Sequence, residues 1–164
     1  TLALAGIQAT AAPAAAQSTL NIGLQDDPDT LDPATNWSFV GRHVLQSLCD
    51  KIVDIDEKGE IIPMLAASWK WGDDSKTLTL KLRDDAVFHD GTKVDAAAIK
   101  YNLERALNAK FSRRKPEISS ISTVDVVDPT TVQINLKQPS VPLLAALSDR
   151  AGMIVSPTAA EKLG

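Results

Sequence analysis

The chain has 164 residues and a net charge of −4, with 44% hydrophobic and 23% charged residues. This composition is typical of a soluble globular protein that is long enough to bury a core. The acidic balance argues against a nucleic-acid partner, because phosphate binding needs a basic face. A short basic run, Arg113, Arg114 and Lys115, is interpreted as a solvated loop.

Residues 1–16 carry no charge and include eight alanines. Small residues directly before Gln17 are typical of a signal-peptidase site, so residues 1–17 are interpreted as the remnant of a signal peptide, with a disordered alanine-rich tail as the alternative. The apolar run is too short for a membrane-spanning helix, and Gln8 and Pro13 interrupt it. We therefore expect an exported protein without a membrane span.

The next segment combines a strand, a loop and a helix. Alternating apolar residues predict a first strand over residues 19–24, and a polar loop follows over residues 25–36. Apolar residues at helical spacing from Val40 to Leu48 then predict an amphipathic helix. Cys49 continues this apolar stripe, so it is interpreted as a small buried residue rather than a nucleophile.

The middle of the chain is rich in hairpin signals. Turn residues at 56–59, 72–75 and 128–131 separate short runs of strand-forming residues. The predicted antiparallel pairs are residues 51–55 with 60–62, residues 69–71 with 77–82, and residues 124–126 with 132–136. In the second pair, Leu78, Leu80 and Leu82 alternate with polar residues, so one face of that strand is buried and the other is wet.

Helices alternate with these hairpins. Asp95 is the predicted N-cap of the longest helix, whose inner stripe runs from Ala96 to Leu107. A short helix over residues 143–147, an apolar strand over residues 152–155 and a last helix beginning at Ser156 and Pro157 complete the chain. The fold class is therefore mixed α/β, and the first and last strands lack evident partners, which indicates a piece of a larger protein.

Spaced motifs in the middle of the chain resemble one known family. They cover residues 63–69, 73–74, 77–83, 88–92 and 100–105. In this order and spacing they closely resemble the signature region of the family 5 extracytoplasmic solute-binding proteins, which are the peptide, nickel and opine receptors of ATP-binding cassette importers. Residues 30–33, Thr-Leu-Asp-Pro, resemble the N-terminal loop of the same family, and the resemblance runs from about residue 19 to residue 164.

The resemblance implies a type II fold like that of the periplasmic binding proteins. Such proteins have two lobes joined by a hinge, with an extra subdomain on the first lobe. Residues 18–45 are then expected to begin lobe one, residues 46–148 to form the extra subdomain, and residues 149–164 to return into lobe one. By this resemblance the second lobe and the hinge are expected to lie outside this chain, which explains the two strands without partners.

The resemblance also implies a function. We expect a monomeric periplasmic receptor that closes over a peptide or related small solute and delivers it to the membrane permease of an ATP-binding cassette importer. Such a receptor is not an enzyme and needs no cofactor. The alternatives are a sensing or chaperone-like receptor of the same fold and a peptide hydrolase.

Neither a metal centre nor a catalytic dyad is expected. His43 and His89 fall in separate elements, and the four aspartates between residues 26 and 32 lack the spacing of a calcium loop, so we interpret them as a capped polar loop. His89 precedes Asp90, and neighbouring residues of a strand point to opposite faces.

Seven residues in two stretches are the predicted solute contacts: Trp37, Ser38 and Phe39 in the first, and Arg150, Ala151, Gly152 and Met153 in the second. By the resemblance, family members contact ligand from the loop equivalent to the first stretch, where exposed rings can stack on a solute. The alternative is that Trp37 packs beneath the loop. In the second stretch, small residues are expected to admit a solute to the main chain, and Arg150 to meet a carboxylate or form a surface ion pair.

Overall fold

The computed structural model describes residues 19–163 of the chain, so the predicted signal peptide, residues 1–17, lies outside the described residues. The helices are α1 Phe39–Leu48, α2 Ala96–Asn108, α3 Leu143–Leu147 and α4 Pro157–Leu163. The strands are β1 Val53–Ile55, β2 Ile61–Pro63, β3 Ala66–Trp71, β4 Thr77–Leu82, β5 Ile121–Asp128 and β6 Thr131–Leu136. This order of elements confirms the mixed α/β class.

The central sheet contains four strands in the order β3-β4-β6-β5, and every neighbouring pair is antiparallel. The predicted hairpins β3–β4 and β5–β6 are confirmed. Leu80 lies between Trp69 of β3 and Val132 of β6 in the register of the sheet. Leu78, Leu80 and Leu82 are buried, as their alternation with polar residues predicts.

Helix α2 covers one face of this sheet. Asp95 caps its N-terminus, because the Asp95 carboxylate accepts a hydrogen bond of 2.8 Å from the main-chain nitrogen of Ala98. Ile99 and Leu103 are fully buried against the sheet. Asn102, on the same helix, exchanges hydrogen bonds of 2.8 and 3.0 Å with the main chain of Val155, which joins the C-terminal segment to α2.

A separate hairpin, β1–β2, lies beside the sheet and confirms the first predicted pair. Gly59 in its turn has a φ of 83°, a conformation that glycine adopts without the steric cost other residues meet. The Asp56 carboxylate accepts hydrogen bonds of 2.9 Å from the main-chain nitrogens of Lys58 and Glu60. The turn therefore satisfies its own backbone donors.

Two predicted strands are wrong. Residues 19–24 form no strand, and Leu20 and Ile22 are 83% and 73% exposed, because nothing in the described part of the chain pairs with them. The segment predicted as a strand over residues 152–155 follows a 3-10 helix, Arg150–Gly152, and makes a single bridge between Met153 and Lys51. Within residues 19–163, no helix combines the length and the apolar composition that a membrane crossing requires.

Replacing Leu80 with alanine tests this core. Leu80 is fully buried, so Leu80→Ala removes apolar contacts and leaves a cavity, and we expect a loss of ~2–5 kcal/mol in the free energy of unfolding. The urea midpoint of the full-length protein measures this loss. Lys81→Ala, at the exposed neighbouring position, is the control. It removes only exposed contacts with Thr130, Thr131 and Asp128, so we expect it to cost no more than about 1 kcal/mol. Equal midpoints for both variants would contradict the assigned faces of β4.

Candidate functional site

The aromatic loop, residues 29–39, enters α1 and carries the first predicted stretch. Asp29 organises it: the Asp29 carboxylate accepts hydrogen bonds of 3.0 and 3.2 Å from the main-chain nitrogens of Trp37 and Ser38, and others from the Ser38 hydroxyl and the Asn36 amide. Desolvation alone would raise the pKa of Asp29, but the hydrogen bonds from Ser38 and Trp37 hold that pKa below its ordinary value. The carboxylate is therefore a fixed anchor of the loop.

Ser38 joins the loop to the helix. Its hydroxyl oxygen accepts a hydrogen bond of 2.9 Å from the main-chain nitrogen of Gly41 and so caps α1. A Cβ on Gly41 would lie 1.9 Å from the amide nitrogen of Asn36, so this position has no room for a side chain. The helix start and the loop are packed as one unit.

Two aromatic side chains project from this unit. Trp37 is 71% exposed and Phe39 is 69% exposed, so the alternative that Trp37 packs beneath the loop is wrong. Phe39 makes an edge-to-face contact with His43, with 4.6 Å between ring centroids and 86° between ring planes. Large exposed rings on a fixed backbone are suited to stacking on a small molecule.

Asn36 directly precedes Trp37 and is completely buried. Its side-chain oxygen accepts a hydrogen bond of 2.9 Å from Arg150, and its main-chain oxygen accepts one of 3.0 Å from Arg114. Arg150 also donates to the main-chain oxygen of Ser38 at 3.4 Å. Residues from the two predicted stretches therefore meet, with the guanidinium group of Arg150 bound to the loop that carries Trp37.

The other members of the second stretch face the protein interior. Ala151, Gly152 and Met153 are buried. The main-chain nitrogen of Gly152 donates to Asp149 at 2.8 Å, and its oxygen accepts from Ile52 at 2.9 Å. The role of these three residues in contacting solute stays a prediction, and the structure shows that both main-chain polar groups of Gly152 already have protein partners.

Arg105 and Asp32 form a further contact that the sequence analysis missed. The Arg105 guanidinium of α2 donates two parallel hydrogen bonds, of 2.9 and 2.7 Å, to the Asp32 carboxylate in the aromatic loop. Burial raises the pKa of Asp32, but the hydrogen bonds from Arg105 and Ala34 outweigh it and hold the pKa below its ordinary value. Asp29 and Asp32 both act as anchors, in agreement with the predicted capped polar loop.

The interpretation of residues 113–115 as a solvated loop is wrong for Arg114. Arg114 is only 4% exposed and also donates to Glu117 at 2.6 Å. Burial, opposed by Glu117, lowers the pKa of Arg114 below its ordinary value, which indicates that the charge lies where water is scarce. The sequence does not indicate that Arg114 is buried, because its partner is the main-chain oxygen of Asn36 and every residue type has such an oxygen.

A cavity of about 230 Å³ lies at the C-terminal end of α1 and is lined in part by Cys49 and His89. Cys49 is half-buried, and burial together with the charge of Asp50 raises the pKa of its thiol to about 11, so the reactive thiolate is scarce at neutral pH. His89 and Asp90 lie in a turn rather than a strand, and Asp90 accepts hydrogen bonds from Thr92 and Ser156. Among residues 19–163, no cluster of histidine, cysteine or acidic side chains is arranged to hold a metal ion.

Comparison with known proteins shows the family. Residues 60–163 match the bacterial extracellular solute-binding proteins, family 5 middle region. The chain therefore belongs to the family 5 bacterial extracellular solute-binding proteins, which confirms the resemblance noted in the sequence.

Curated and solved relatives agree with this family. The glutathione-binding protein GsiB of Escherichia coli K12 is 37% identical over 136 residues, which are 82% of this chain and 27% of that protein. The binding protein AgaA of A. tumefaciens R10, solved with agropinic acid, is 36% identical with a TM-score of 0.77, over 83% of this chain and 28% of the other. The murein tripeptide binding protein MppA of Escherichia coli is 28% identical with a TM-score of 0.76, over 85% and 31%.

These relatives also define the fold. The chain has the fold of part of a periplasmic binding protein, and it spans about a quarter of the length of the curated relatives it matches. The relatives named above are binding proteins.

Gly152 gives a test of the packing behind the site. A Cβ on Gly152 would lie 1.8 Å from the main-chain oxygen of Leu147, so Gly152→Ala forces the backbone to shift. We expect a loss of about 1–3 kcal/mol in the free energy of unfolding, measured from the urea midpoint. Ala145→Ser, at an exposed position of α3, is the control. A Gly152→Ala variant as stable as this control would show that the close contact with Leu147 is absent.

The pair formed by Arg105 and Asp32 predicts a pH dependence. The pKa of Asp32 is lower in the folded protein than its ordinary value of 3.8, so the pair stabilises the fold above that value and the stabilisation is lost as the pH falls through the lowered pKa. We expect Asp32→Asn to be less stable than the wild type at about pH 6 and the gap to narrow at about pH 3. Urea titrations at both pH values measure the gap, and a gap independent of pH would contradict an ionised Asp32 in the pair.

Proposed function

We propose that the full-length protein is a periplasmic receptor that captures a peptide-like small solute and delivers it to the permease of an ATP-binding cassette importer. The single observation that carries the proposal is the pair of exposed rings, Trp37 and Phe39, on a loop held by several hydrogen bonds in a chain of this family. Exposed aromatic surface costs solubility, so its presence on a fixed loop favours a binding role.

The names of the relatives support the class of solute. They include a glutathione-binding protein, a murein tripeptide binding protein and a protein solved with agropinic acid. Stacking on Trp37 is tolerant of the solute's sequence, because an indole ring contacts any flat or apolar surface. Arg150 contacts the main chain of Ser38, between Trp37 and Phe39 in the sequence, and would supply a cation for a solute carboxylate if its contact with Asn36 rearranged.

The proposed mechanism is closure of two lobes around the solute. The rings of this chain provide one wall, and the remainder of the protein provides the other. Closure requires that the solute bind the closed state more tightly than the open one. The receptor then acts as a monomer, without a cofactor and without catalysis, and docks on the permease in the closed form.

The domain boundaries form part of the same proposal. Residues 18–45 and 149–164 belong to lobe one, and residues 46–148 form the extra subdomain. The exposure of Leu20, Ile22 and Leu24, which alternate along one side of an extended segment, supports a partner strand in the rest of the protein.

Two measurements on the full-length protein test the function. Mass spectrometry of small molecules that co-purify with the protein is expected to find a peptide-like compound. Glutathione, a free tripeptide and an opine, each at high excess, are then compared in a thermal-shift assay, and at least one is expected to raise the melting temperature because it binds only the folded state. A protein that co-purifies with no such compound and responds to none of them would contradict the assignment.

Trp37→Ala tests the wall of the site. Removing an exposed ring leaves the core intact, so we expect weaker solute binding by calorimetry and an unchanged melting temperature of the unliganded protein. Val141→Ala, at a position that is 96% exposed, is the control and is expected to leave both quantities unchanged. An unchanged dissociation constant for Trp37→Ala would remove Trp37 from the site.

A further inference from the structure

Every second residue of the aromatic loop from Asp32 to Asn36 forms a hydrogen bond with the same neighbouring segment. Asp32 accepts from the side chain of Arg105, the main-chain oxygen of Ala34 accepts from the nitrogen of Arg113 at 2.8 Å, and the oxygen of Asn36 accepts from the side chain of Arg114. We call residues 105–117 the bracing segment. It begins in α2 and belongs to the predicted extra subdomain, whereas the loop belongs to the predicted start of lobe one.

The bracing segment is itself firmly attached. The Ser112 hydroxyl donates to the main-chain oxygen of Ala106 at 2.5 Å, and it accepts from the nitrogen of Arg114 at 3.2 Å. Ala106 and the neighbouring Leu103 are buried in the core between α2 and the sheet. The position of the Arg114 side chain is therefore set by the core of the subdomain.

Stability alone does not explain this arrangement. Burying the guanidinium of Arg114 has a desolvation cost, and an apolar side chain of similar volume often stabilises a fold as well as a buried ion pair does. The Nε atoms of Arg114 and Arg150 are also buried without a hydrogen-bond partner among residues 19–163. The main-chain oxygen of Asn36 accepts from both Arg114, at 3.0 Å, and Arg150, at 3.4 Å. Two cations on one main-chain oxygen instead fix where that peptide lies, and Trp37 is the next residue.

We propose that the bracing segment holds the aromatic loop in its solute-binding conformation before the solute arrives, with Arg114 as the positioning residue. This inference rests on the proposed role of Trp37 as a solute contact. A loop that is ordered in advance loses less conformational entropy on binding, so the apparent affinity is higher. Through Arg114, the extra subdomain thereby orders the binding site, although Arg114 itself does not contact the solute.

Hydrogen exchange of the full-length protein, followed by mass spectrometry, tests the positioning directly. Arg114→Met removes the donors and keeps a long side chain, and we expect the backbone of residues 29–39 to exchange about tenfold faster while β4 is unchanged. Arg113→Met, at the exposed neighbouring position whose backbone nitrogen is unaffected, is the matched control and is expected to leave both segments unchanged. Arg114→Lys keeps the charge and a single donor nitrogen, so we expect an intermediate exchange rate in residues 29–39. This variant replaces Arg114→Met if Arg114→Met does not fold.

Binding of glutathione to the same variants provides the functional test. We expect Arg114→Met to raise the dissociation constant about tenfold and Arg113→Met to leave it unchanged. Three results for Arg114→Met would each overturn the inference. They are unchanged exchange in residues 29–39, faster exchange in β4 and the aromatic loop together, and wild-type affinity although residues 29–39 exchange faster. If glutathione does not bind the wild type, the proposal of a peptide-like solute loses support. The hydrogen-exchange comparison still decides whether Arg114 positions the loop.

Discussion

The arrangement of the site depends on the buried peptide of Asn36. This peptide must satisfy its polar groups without water. Its nitrogen donates to the main-chain oxygen of Asp32, and its oxygen accepts from two arginines that come from distant parts of the sequence, Arg114 at 3.0 Å and Arg150 at 3.4 Å. Once Asn36 is fixed, the direction of the chain at Trp37 is fixed as well. The exposed position of the rings therefore depends on a buried polar contact.

Charge and shape act together around this peptide. Asp29 orders the end of the loop through main-chain nitrogens, whereas Arg105 and Arg114 hold its interior from the side of the subdomain. The close approach at Gly41 leaves no space for the loop to shift towards α1. Because hydrogen bonds and steric contact restrict the same few residues, the loop has little freedom to reorganise.

Much of the fold could be predicted from the sequence, because its hairpins and helices are local patterns. The alternation of apolar and polar residues around Leu80 predicts which face of β4 is buried. Asp95, as an N-cap residue, predicts where α2 begins. The strands predicted over residues 19–24 and 152–155 failed because a strand needs a partner, and periodicity carries no information about where the partner lies. In the candidate site, Trp37 can be proposed from its place before a helix, whereas Arg114 cannot, because its partner is a main-chain oxygen 78 residues away.

A crystal structure of the full-length protein with its co-purified solute tests most directly whether the aromatic loop binds the solute. We expect the indole ring of Trp37 to lie in van der Waals contact with the solute, and Arg114 still to donate to the main-chain oxygen of Asn36. A solute bound elsewhere, with Trp37 buried against the rest of the protein, would contradict this role of the loop.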